Sequence, residues 1–339
     1  MSARRRGLLR LSVLLVAVAG VVVLVVRSQR GSGGGEQGGM PKVTDSTPAK
    51  PMSVRLVART SPQYLPAPIS GEAAVASRNG VLSIGGLDSN TVSTSSVVEL
   101  RPPDGKARAA GSLVEPLHDA AAAAIAGKTL VFGGGSASTI DSVESLARRG
   151  TSSIVGHLPV PRSDLSAATV GGRAYVLGGY DGSVPVGDVL QTGDGRSFKR
   201  IASLPTPVRY AAVVPKGHVI YAFGGEIASG QDSDVIQAVD VSTHSARVIG
   251  HLARATSHAS AVALGRRIYV LGGRSGATAT DRILAFDPAS KRISVAGRLP
   301  YPVMNAAATT AGGVGFLIGG LGAAGTALDA VATIRLVPG

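Results

Sequence analysis

A glycine pair closes a short apolar run six times along this chain, at intervals of 45 to 48 residues. The pairs are Gly85-Gly86, Gly133-Gly134, Gly178-Gly179, Gly224-Gly225, Gly272-Gly273 and Gly319-Gly320. Twenty residues before each stands a leucine: Leu65, Leu113, Leu158, Leu204, Leu252 and Leu299. A proline lies three residues after five of these leucines, at Pro68, Pro116, Pro161, Pro207 and Pro302, and Ala255 takes the sixth place. Three residues before each pair sits a large side chain: Leu82, Leu130, Tyr175, Tyr221, Tyr269 or Phe316. A fixed period near 50 is that of a four-stranded propeller blade, which buries its faces only by stacking on its neighbours.

Each unit reads as four strands. In the third, Ser166–Val170 is an innermost strand and a Gly-rich turn leads to a second strand, Ala174–Leu177. The glycine pair ends that strand where neighbouring backbones crowd. Val189-Leu190 supplies the third strand and residues 198–201 the fourth. The last unit runs out after three strands, whereas residues 53–57 form an orphan strand upstream of Leu65. The expectation is an all-β, six-bladed propeller over residues 53–339, with this early strand closing the sixth blade.

The unit Leu-Pro-x-Pro-Arg, small inner strand, Gly-Arg, aromatic-Val-Leu-Gly-Gly resembles the kelch repeat over about residues 54–339. Two of its marks are altered. The outer-strand tryptophan is replaced by Ala107, Ser152, Phe198, Ala246 and Ile293, and the aromatic-Asp pair survives as Phe286-Asp287 and, weakly, Val239-Asp240. The resemblance implies partner binding at the face carrying the loops after the glycine pairs.

The first 52 residues are of another kind. Arg4, Arg5, Arg6 and Arg10 precede an apolar run, Leu11–Val26, with Arg27 and Arg30 behind it. Residues 8–26 suit a transmembrane signal-anchor, residues 1–7 a cytoplasmic start and residues 27–52 a flexible linker rich in Gly, Ser, Pro and Thr. The excess of positive charge before the run places the propeller outside the cytoplasm. Cleavage after Ala17-Val18-Ala19 would leave six apolar residues exposed, which favours an uncleaved anchor. The loose twin-arginine run Arg5-Arg6-Gly7-Leu8-Leu9-Arg10 is a weaker export signal.

Of the formal charge of +13, residues 1–52 carry eight Lys/Arg against two acids, and the propeller is only mildly basic. An external, mildly basic domain has no call for nucleic acid. The absence of cysteine excludes disulfides, thiolate metal sites, a cysteine nucleophile and the cysteine–tyrosine chemistry of copper oxidases. The histidines lack metal-ligand spacing, so no metal or cofactor is expected. The GxGxxG at Gly320–Gly325 is the sixth glycine pair plus its loop, without the β-α-β unit a dinucleotide site needs.

Candidate ligand residues follow from strand direction. Fourteen residues before the pairs, where each inner strand begins, stand Gly71, Asp119, Asp164, Tyr210, His258 and Asn305. Mixed polarity at one register position points to the mouth of a central channel. His118, Arg162 and Arg209 lie beside it, and Tyr180, Asp181 and Arg274 come from the variable loops. Such a ring suits a sugar or a peptide. The leading expectation is therefore a membrane-anchored module binding an envelope protein or glycan. An enzyme of the mutarotase or epimerase type is the alternative, implied by some kelch relatives, with Asp164 and His258 or Arg162 as acid and base. A structural role in an envelope assembly is the third.

Overall fold

A computed structural model describes residues 54–101, 105–146 and 150–339, and these form one ring of six four-stranded antiparallel sheets. The start over 1–7, the anchor over 8–26 and the linker over 27–52 lie outside the described residues. Among the described residues no helix is long and apolar enough to cross a membrane. The inner strands are Ala73–Ala76, Ala121–Ile125, Ser166–Val170, Ala212–Lys216, Ser260–Leu264 and Ala307–Ala311. Each packs on the next, and the first on the sixth, around a central channel. Alanine dominates them because six inner edges meet there and larger side chains would not fit.

The third blade has the strands read from its sequence, Ser166–Val170, Arg173–Leu177, Asp188–Thr192 and Lys199–Ser203. Ring closure is equally direct. The N-terminal strand Val54–Ile69 pairs antiparallel with the C-terminal strand Leu328–Pro338, from Val54 opposite Pro338 to Thr60 opposite Ala332. The sixth blade is thus built from both ends of the domain, and no blade is left with an open third strand.

The glycine pairs staple blade to blade. The second glycine of each pair donates its N–H to a carbonyl in the linker entering the next blade, as from Gly134 to Arg162 at 3.0 Å and from Gly320 to Ile69 at 2.9 Å. The first glycine lies against that same carbonyl, in the left-handed region. A Cβ on Gly224 would lie 2.0 Å from the Thr256 oxygen. Only glycine allows both the dihedral and the approach. The recurring leucine plugs the same corner: all six are buried, at 2–4 % exposure.

Buried polar side chains hold the linkers between blades as well. Glu144, fully buried, accepts the Val114 N–H at 2.9 Å and the Ser152 hydroxyl. Gln237 bonds both the N–H and the carbonyl of Thr206 at 2.9 Å. Phe198 keeps an aromatic role, edge-on to Phe132 at 6.3 Å.

Candidate functional site

The six residues at the inner-strand starts form a closed circuit. Each donates its backbone N–H to the carbonyl of its counterpart in the preceding blade: Asp119 to Gly71 at 2.7 Å, Asp164 to Asp119 at 2.8 Å, Tyr210 to Asp164 at 3.0 Å, His258 to Tyr210 at 3.0 Å, Asn305 to His258 at 2.9 Å, and Gly71 back to Asn305 at 3.0 Å. All six have φ between 50° and 63°. That left-handed geometry is what aims N–H and C=O tangentially around the ring. It also explains the residue choice, since Gly, Asn, Asp and His tolerate it best. The mixed polarity at this register thus has a backbone cause as well as any ligand-related one.

Just outside the circuit, the residue before each ring position bridges the residue after the glycine pair: Ser163 with Tyr180, Arg209 with Glu226, Ser257 with Arg274. This holds the linker and the post-glycine loop at one end of every blade, as the strand directions require. A cavity of about 160 Å³ opens there, lined by the ring residues and by the alanine-rich strands beneath.

The side chains interlock across the mouth. The Asp119 carboxylate accepts from Tyr210 Oη at 3.2 Å on one oxygen and from Asn305 Nδ2 at 3.3 Å on the other. It leans over Gly71, where a Cβ would meet Asp119 Oδ1 at 2.5 Å. Tyr210 stacks on His258 with ring centres 3.8 Å apart. Arg209 donates through Nε to Glu226 Oε1 at 2.9 Å and through Nη1 to Asp164 Oδ2 at 3.3 Å, and its guanidinium lies 4.7 Å from the Tyr180 ring centre. Arg274 Nη2 donates to the other Glu226 oxygen at 2.7 Å, and its Nε to Ser257 Oγ at 3.0 Å.

Burial sets the protonation of this network. It pushes the Asp119 carboxyl up to about 7, with repulsion from Asp164 adding to the effect. Burial likewise raises Asp164. It lowers His258 to about 3, assisted by Arg274 and Arg209, so its imidazole is neutral at physiological pH. The Tyr210 hydroxyl is driven well above its usual range by the same desolvation.

The structure therefore brings together Asp119, Asp164, Tyr180, Arg209, Tyr210, His258, Arg274 and Asn305. His118 stands at the rim, its Nδ1 2.9 Å from Ser93 Oγ. Two candidates serve other ends. Arg162 is completely buried, its Nη1 donating to the Gly178 carbonyl at 3.3 Å and its Nε unpartnered, so its side chain offers no surface to a ligand. The Asp181 side chain is turned back on its own loop, accepting from Ser183 and Val184 N–H groups at 2.8 Å. Two buried acids are missed by the register argument. Glu226 follows the fourth glycine pair, where other units carry Leu87, Gly135, Tyr180, Arg274 and Leu321. Glu72 follows the ring position, where the others carry Ala120, Leu165, Ala211, Ala259 and Ala306. One acid in an otherwise apolar column is the signal that marks Glu72.

Among the described residues no cluster of His, Cys, Asp and Glu has the arrangement of a metal site. A closed ring of six four-stranded blades with its loops gathered at one mouth defines a six-bladed β-propeller. The family model for the kelch motif matches residues 161–191 and 255–292, within the third and fifth units. An F-box/kelch-repeat protein of Arabidopsis thaliana is 39% identical over 75 residues, 22% of this chain and 19% of that protein. Kelch-like protein 38 of Homo sapiens is 32% identical over 128 residues, 36% of this chain and 20% of that protein. The chain thus spans about a fifth of the length of these curated relatives. The solved structure of YjhT superposes with a TM-score of 0.69 at 16% identity, over 81% of this chain and 98% of that one, a likeness of fold. The chain carries kelch motifs in the third and fifth units of this six-bladed propeller.

Proposed function

We propose that this chain is a membrane-anchored, extracytoplasmic kelch propeller that binds an envelope protein or glycan through its loop face. Kelch propellers generally bind proteins, and the observation that carries the reading here is the mouth itself. Its charged side chains are locked by one another in fixed positions, so a partner meets a preorganised surface that loses little conformational freedom on binding. The apolar run over residues 11–26, flanked by arginines, supports the anchored placement. Cross-linking the full chain in membranes and identifying what is captured through the loop face tests the binding half. A reporter fused after Gly339 that is active only outside the cytoplasm tests the placement. Capture that is unchanged when Arg274 and Tyr180 are replaced by alanine contradicts the face, and a reporter active only in the cytoplasm contradicts the location.

One observation favours a second, enzymatic reading. Asp119, raised to about 7, and His258, lowered to about 3, are titratable neighbours whose surroundings push them apart, with Tyr210 between them. Such a pair suits proton transfer during sugar ring opening. Anomer exchange that is equally fast with and without the protein, over a panel of reducing sugars, removes this reading.

A further inference from the structure

The hydrogen bonds around Ser257 fix the tautomer of His258. Ser257 Oγ, 1% exposed as a residue, lies 2.6 Å from Asp232 Oδ1, 3.0 Å from Arg274 Nε and 2.8 Å from His258 Nδ1. A serine hydroxyl has one proton to give. The Asp232 carboxylate accepts only, so that proton goes to Asp232. The Arg274 Nε–H donates only, so Ser257 Oγ accepts there. The contact at His258 Nδ1 is then a donation from the imidazole, Nδ1–H to Oγ. Its single proton placed, the neutral ring leaves Nε2 as a bare lone pair. Nε2 has no partner among the described residues, and His258 lines the cavity at the mouth.

The two guanidiniums around that lone pair are each held between two carboxylates. Arg209 faces Glu226 and Asp164, and Arg274 faces Glu226 and Asp232, none more than 3.6 Å away. A cation added at His258 would meet the like charge of Arg274 and Arg209, and an added anion would meet Asp119 and Asp164 in the lining. The cavity of about 160 Å³ holds roughly five water volumes, enough for the hydroxyl-bearing edge of a ligand. We infer that the mouth takes a neutral polyhydroxyl ligand, one hydroxyl donating to His258 Nε2 and its neighbours reaching the Asp119–Tyr210–Asn305 group. This deepens the loop-face reading above and rests on it.

The test uses the full chain and three sugars of one frame: glucose, neutral; glucosamine, cationic; glucuronate, anionic. Affinities are measured by calorimetry or ligand-observed NMR. The expectation is binding of the neutral sugar at least about tenfold tighter than either charged one, as a charge drawn into the partly enclosed mouth gives up hydration without a free counter-charge. His258→Asn keeps a donor near Ser257 and tolerates the left-handed backbone, but its shorter side chain puts no acceptor where Nε2 stood. It weakens the neutral sugar about five- to tenfold, the size of one lost hydrogen bond, with the melting temperature retained. Nitrogen-15 NMR of the imidazole reads the tautomer without any ligand, and the expected form carries its proton on Nδ1. A proton on Nε2, a preference for glucosamine or glucuronate, or no binding of the neutral sugar each overturns the inference. If no sugar binds while an envelope protein is still captured through the loop face, this inference fails and the loop-face reading stands.

Discussion

Glu72 offers the sharpest energetic test of the ring. It sits at the seam between the first and sixth blades, 6% exposed, with Oε1 accepting the Ala307 N–H at 3.4 Å and Oε2 buried without a partner. Gly319 closes over it, since a Cβ there would lie 2.6 Å from Glu72 Oε1. Desolvation pushes its carboxyl from 4.5 up to about 8. A raised carboxyl means the folded state holds the proton longer than the unfolded one, so stability falls as pH rises. The loss begins near 4.5, grows through the window to about 8 and is complete above it. At full extent it reaches on the order of 5 kcal/mol, from about 1.4 kcal/mol per pH unit. Glu72→Gln keeps the shape and removes the titration. The variant should be close to wild type near pH 5, where both side chains are neutral, and more stable above pH 8. At about 2–4 °C of melting temperature per kcal/mol, the gap should open by roughly 10 °C. Thermal melts of both proteins from pH 4 to pH 9 measure it. Parallel melting curves across that range would refute the buried, proton-holding carboxyl and the packing of the seam around it.

Two further predictions concern the scaffold. Gly217 and Gly224 have nearly equal φ, 63° and 61°, but a Cβ on Gly217 meets nothing within 4 Å. Gly217→Ala should therefore cost only the left-handed penalty of about 1 kcal/mol, and Gly224→Ala should cost several times more or prevent folding. Equal urea midpoints for the two would dismiss the staple. Deleting residues 54–58 exposes the pairing edge of the C-terminal strand and should lower the melting temperature by on the order of 10 °C; an unchanged melt would show the closing strand to be dispensable. At the mouth, Asp119→Asn preserves the left-handed backbone and removes a carboxyl that titrates near 7. Folded-state carboxyl titration followed by NMR should then lose the step near pH 7, and its persistence would assign that step to another group.

The blade count, the strand positions and the ring position were legible because each rests on a backbone requirement that admits few residues. A glycine is needed wherever the next linker's carbonyl occupies the Cβ position, so the pairs repeat without exception. The leucine plug is similarly constrained by the corner it fills. Side-chain partnerships were less legible, because they depend on distances between units that sequence spacing does not encode. Arg162 and Arg209 occupy neighbouring register positions in successive units, yet one is sealed inside and the other spans Glu226 and Asp164. Asp164 and Asp181 are both loop-end acids, but only the first faces the network, because the second finds two amides in its own turn. The left-handed backbone at the ring was also hidden, since Tyr210 is an uncommon residue there and masks the preference that Gly71, Asp119 and Asn305 display.

Site-resolved hydrogen exchange of the six ring amides bears most directly on the whole account. If Gly71, Asp119, Asp164, Tyr210, His258 and Asn305 close one circuit, their N–H groups should exchange together, and only at the free energy of global unfolding. Exchange of any of them at the rate of the loops, while the inner strands stay protected, would show an open ring and a mouth that is not built in advance of its ligand.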